Sequence, residues 1–162
     1  MYKTRSTLML LAGLSLAASL AAAPALAVVP GSRAEVNTDA DGLALQGYDP
    51  VAYFIDGAAT PGQAQFTAVY QGARYQFASE ADLKKFQADP AAYTPQFGGF
   101  CATGAAYGEK VNGDPTAWRV VDDKLYLNYN KSVAAQWSQD TSGNIKRANG
   151  EWPTIKDNAA TQ

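Results

Sequence analysis

Apolar and polar residues alternate over 65–70 and again over 73–77, on either side of the pair Gln71-Gly72. That period-two pattern around a glycine turn predicts an antiparallel hairpin. A second hairpin is predicted over 118–121 and 124–129, turning at Asp122-Asp123. The intervening segments read as helices. Asp49 followed by Pro50 is a helix start, a capping carboxylate and then proline at the first helical position, and the helix should run from Pro50 to about Phe54. Ser79 caps a second helix, with Asp82 placed as a capping-box acid, and Asp89-Pro90 breaks it. Small residues over 98–107 predict a closely packed helix. Val133, Ala134 and Trp137 mark an amphipathic helix, and a short last helix is expected near 145–148, before Gly150 and Pro153. This order of elements predicts a small single α+β domain: two antiparallel β-hairpins packed against several short helices.

The ends of the chain read differently. Lys3 and Arg5 precede a continuous run of apolar and small residues over 8–22, and Pro24 then precedes Ala25-Leu26-Ala27. This is the pattern of a secretory signal peptide over 1–27, cleaved after Ala27, and it places the protein in a bacterial periplasm or outside the cell. Residues 28–42 read as a linker, 43–155 as the domain, and 156–162 as a frayed tail. After Ala27 no apolar run is long enough to span a bilayer.

Composition narrows the chemistry. The 162-residue chain has no histidine and one cysteine, and its two methionines, Met1 and Met9, lie in the leader. Histidine triads, histidine-metal sites, methionine copper sites and multi-cysteine zinc sites are therefore beyond a single mature chain. Loss of Lys3 and Arg5 with the leader moves the formal net charge from −2 to −4. A mildly acidic chain without a basic cluster argues against nucleic acid and against anionic membranes as partners. A lone cysteine makes no internal disulfide, so packing must hold the fold.

The run Gly47-Tyr48-Asp49-Pro50-Val51-Ala52-Tyr53-Phe54 resembles the start of YHS-domain proteins. The resemblance continues through Tyr75-Gln76-Phe77-Ala78-Ser79, Phe86, Asp89-Pro90, Tyr93, the segment Pro95-Gln96-Phe97-Gly98-Gly99-Phe100-Cys101, and Lys124-Leu125-Tyr126-Leu127-Asn128-Tyr129. The chain looks like the secreted, single-domain branch of that family. Shorter YHS domains on metal-handling proteins are thought to bind metal through cysteines, which implies a metal role here. The positions disagree: Ala52, Ala78 with Ser79, and Asp82 with Leu83 stand where those thiols would fall.

Four candidate sites remain. Cys101, after Gly98-Gly99, could sit in the first turn of a helix, whose N-terminus favours thiolate and redox reactivity with a partner's resolving thiol. Its alternative is burial among Phe97, Phe100 and Tyr107 as a small hydrophobe, and with no second cysteine or histidine to activate it that reading ranks first. Asn37, Asp39 and Asp41, with Gly42, match the first half of a calcium loop, but Tyr48 stands where its bidentate glutamate belongs. Tyr48, Tyr53, Tyr75, Tyr93, Phe97, Phe100 and Trp118 form either an aromatic pocket or the core, and the core ranks first. Asp122 and Asp123 are read as solvated turn residues. No nucleophile elbow, phosphate loop or dinucleotide fingerprint is present. The leading expectation is a non-catalytic module without a cofactor that binds a small ligand or a periplasmic protein. Its contact surface would be formed by Tyr48, Asp49 and Pro50 with Phe97, Gly98, Gly99, Phe100 and Cys101. The rivals are a thiol redox protein acting through Cys101 and a metal-handling protein.

Overall fold

A computed structural model describes residues 29–161; the leader assigned to 1–27 lies outside them. Both predicted hairpins form. β1 (Gln63–Tyr70) pairs antiparallel with β2 (Ala73–Phe77). β3 (Asp114–Val121) pairs likewise with β4 (Lys124–Asn128). Each is a separate two-stranded sheet, and each register shifts once near the outer end of the pair. Gln71 and Gly72 both take positive φ, as do Asp122 and Asp123, which gives both turns the twist that matches antiparallel strands. The α+β architecture is as expected.

The helices α1 (Ala52–Ile55), α2 (Glu80–Ala88), α3 (Pro90–Tyr93), α4 (Ala102–Ala106), α5 (Lys131–Trp137) and α6 (Thr141–Ile155) fill the connections. Their starts follow the side-chain chemistry. Ser79 Oγ accepts from Asp82 N, Asp89 from Ala92 N, Asn130 from Val133 N and Asp140 from Gly143 N. Among the described residues no helix is long and apolar enough to cross a membrane.

Two expectations about helices are corrected. The last helix spans fifteen residues rather than the few around 145–148. Gly150 is exposed with open space around it, which costs a helix only about 1 kcal/mol. Pro153 falls in the last turn, and the fully buried Ala148 locks the helix into the core. The stretch over 98–107 is also not one helix. Gln96–Gly99 is a tight 3-10 turn in which Phe97 and Gly98 take positive φ, and α4 begins only after Cys101.

The chain packs around two main clusters. The first holds Val51, Tyr53, Tyr75, Phe77, Phe86, Leu125 and Leu127, with Tyr48, Tyr93 and Trp118 against its edge. The second joins Phe97, Ala102, Ala105, Ala106, Tyr126, Trp137, Ala148 and Ile155. Small residues on α4 and α6 let those helices approach closely. The aromatic residues weighed as a pocket are mostly these clusters, and they meet edge-on or tilted: Tyr53 with Trp118, Tyr75 with Phe86, Phe97 with Trp152.

Both ends are tied down. Val36, Asn37 and Asp39 of the segment read as a linker are buried. The tail expected to fray is held by backbone bonds from Gly31 N to Ala160 O, Ala160 N to Ser32 O and Thr161 N to Lys110 O. Ala160 is itself buried, packed with Phe100. The reason is Lys110. Its Nζ donates to the carbonyls of Ala34 (2.8 Å), Lys156 (2.8 Å) and Asn158 (3.1 Å), and it lies 4.7 Å from the centre of the Phe100 ring. Nothing in the local sequence around 156–162 encodes that anchor.

Candidate functional site

Asp49 is fully buried. Its Oδ1 accepts from the N–H groups of Val51 (2.7 Å) and Ala52 (3.3 Å), and its Oδ2 accepts from Ala78 N (2.7 Å). One carboxylate thus starts α1 and fastens it to the end of β2. Burial pushes its pKa up, against the pull of those three donors. Pro50 is buried with it, and Tyr48 packs on the first cluster. These residues build the fold and have no free polar atom on Asp49 to offer a ligand. They also do not join the other half of the expected surface, since Phe97 belongs to the second cluster and Phe100 to a third.

Gly98 and Gly99 serve close packing. A Cβ on Gly98 would lie 1.8 Å from Glu35 O, and Gly98 O accepts from Asn37 N at 2.8 Å. Asn37 Nδ2 donates to Gly99 O and Asn112 Oδ1. The calcium-loop residues are thereby dispersed. Asn37 turns to the glycine turn, and Asp39 Oδ1 accepts from the N–H groups of Asp41 and Leu43 in a local turn. Among the described residues no three acidic or thiol side chains converge on a point that could hold a metal ion.

Cys101 is 2% exposed and stands at the N-cap of α4, one position before the predicted first turn. Its Sγ accepts from Gly104 N at 3.3 Å and lies 3.9 Å from Asn128 Oδ1, which also accepts from Thr103 Oγ1 at 2.7 Å. Burial pushes the thiol pKa up and outweighs the lowering by the helix-terminal N–H groups. The helix N-terminus is present as expected, but desolvation wins. At neutral pH the group is a protonated, packed thiol.

Beside it the surface opens. Cys101, Thr103, Gly104, Tyr107, Glu109, Val111, Tyr129 and Val133 line an open groove of about 540 Å³. α4 supplies one wall, the segment after it supplies Glu109 and Val111, and the step from β4 into α5 supplies Tyr129 and Val133. Tyr107 is 72% and Tyr129 52% exposed, unusual for rings in a chain whose other tyrosines are mostly packed. Of the surface expected from sequence, only Cys101 reaches this groove. Tyr107, Glu109, Tyr129 and Val133 are not legible as site residues, because an exposed tyrosine carries no pattern that separates it from a buried one.

The connection from α1 through both strands of the first hairpin to α3 has a counterpart among known families. Residues 51–97 match the model of the YHS domain. No curated protein and no solved structure matches the chain. The YHS match starts after Tyr48-Asp49-Pro50 and ends at Phe97, so it is narrower than the resemblance read out to Tyr129. Every residue lining the groove lies C-terminal to the YHS match. The matched stretch is the framework around Tyr53, Phe77 and Phe86, and the groove is built by the sequence that follows it.

Proposed function

We propose that the protein is a non-catalytic, exported binding module of the YHS type, and that its ligand site is the groove of Cys101, Tyr107, Glu109, Tyr129 and Val133. The observation that carries this reading is the pair of exposed tyrosine rings beside an apolar hollow of ligand size. Exposed aromatics on a mostly apolar floor are costly to leave in water unless something covers them. Export rests on the leader pattern of 1–27. A thiol redox role is disfavoured by the buried, protonated Cys101 and the absence of a second cysteine. A metal role is disfavoured by the missing family thiols.

Ligand-observed NMR with a fragment library tests the site, comparing wild type with Val133→Trp, which fills the groove. Fragments that bind wild type should lose their saturation-transfer signal in the variant. Hits that persist in Val133→Trp and perturb Tyr48 or Phe97 instead would refute the placement.

A further inference from the structure

The charge at the groove is one-sided. Glu109 is exposed and is the one carboxylate lining it, and that carboxylate has no ion pair or hydrogen bond among the described residues. A second carboxylate stands near, with Glu151 Oε2 at 3.7 Å from where a Cβ on Gly108 would be. Two neighbouring cations are committed elsewhere, and Lys131, exposed on the step that carries Tyr129 and Val133, does not line the groove. Lys110, next in sequence, is turned inward onto the three carbonyls that hold the chain ends. Arg147 lies in the adjoining cleft and donates to Asn144 Oδ1 at 2.7 Å and Asp140 Oδ2 at 3.4 Å. The two exposed rings, Tyr107 and Tyr129, carry negative potential on their faces.

We infer that the groove binds a small organic cation, an alkyl- or arylammonium whose charged head meets the Tyr107 and Tyr129 rings and the Glu109 carboxylate. Its apolar body lies on the floor formed by Gly104, Val111 and Val133. The inference rests on the groove being the ligand site. Aromatic faces attract an ammonium in proportion to its loss of water, an unpaired carboxylate adds direct attraction, and an apolar floor selects against small hydrated metal cations. An anion would instead meet uncompensated carboxylate and ring-face repulsion.

The test is an amide-resolved NMR titration of the labelled protein with three probes of one shape. These are choline, its uncharged carbon isostere neohexanol, and the anion tert-butylacetate. Choline should shift the amides of Gly104, Glu109 and Tyr129 saturably, with the other two probes weaker. Glu109→Gln and Tyr129→Ala, both at exposed positions that leave the fold intact, should each weaken choline about three- to tenfold. Equal or tighter binding of neohexanol or tert-butylacetate at the same amides overturns the cation inference and leaves the groove as the site. Unchanged choline affinity in Glu109→Gln also overturns it. No shift at these amides with any probe overturns both the inference and the groove reading.

Discussion

Asp49 and Cys101 both stand at helix starts, and both were read from sequence as part of a contact surface. Asp49 was recognisable as a cap because Asp-Pro is a local signal, and its carboxylate does cap α1. What the local signal lacks is Ala78 N, a donor from 29 positions away that removes the last free oxygen. Cys101 was recognisable as a residue near a helix N-terminus, but its burial depends on contacts with Val111, Leu127 and Asn128. The raised thiol pKa gives a prediction at this scale. Disulfide-reagent labelling of Cys101 at neutral pH should be slower in the folded than in the denatured protein by a factor on the order of a hundred. The pH dependence follows in sign. The unfolded chain loses the thiol proton at the ordinary thiol pKa and the folded chain only at a higher one. Stability should therefore fall as pH rises through that interval, and the slope should vanish in Cys101→Ala, measured by denaturant unfolding at several pH values.

At the scale of elements, hairpins and caps were legible because each is set within a few residues: Gln71-Gly72 between alternating strands, and Ser79 with Asp82. The short-helix expectation for α6 failed because Gly150 and Pro153 were weighed as stops, while burial of Ala148 and Ile155 against α4 outweighs both. Glycines of similar appearance thus have opposite roles. Gly98→Ala places a methyl against Glu35 O at a backbone φ of +60°, and should destabilise by more than about 3 kcal/mol. Gly150→Ala meets nothing within 4 Å and should stabilise α6 by about 0.5–1 kcal/mol. Equilibrium denaturation of the two variants decides this, and equal effects of one sign would show that the turn at Gly98 is not held against the N-terminal segment.

Over the whole molecule, the ends are fastened by one side chain that no local pattern singles out. That side chain is Lys110, which bonds carbonyls at 34, 156 and 158. Burial lowers its pKa, and the three carbonyls hold it in place as a donor. Lys110→Met keeps the stem and removes the donors, and should cost about 2–4 kcal/mol. It should also raise amide hydrogen exchange at Ala160 and Thr161 while β2 keeps its protection. The same long-range assembly explains why the groove was not legible. Tyr107 and Glu109 come from one stretch and Tyr129 and Val133 from another some twenty residues on, and none lies in the part of the chain that matches the YHS domain.

Native mass spectrometry of the protein, purified without chelator or reductant, tests the binding account most directly. The account predicts an unmodified Cys101, no metal, and a non-covalent organic mass that disappears in the double variant Tyr107→Ala/Tyr129→Ala. A covalent adduct on Cys101, or a stoichiometric metal ion that survives the double substitution, would contradict it.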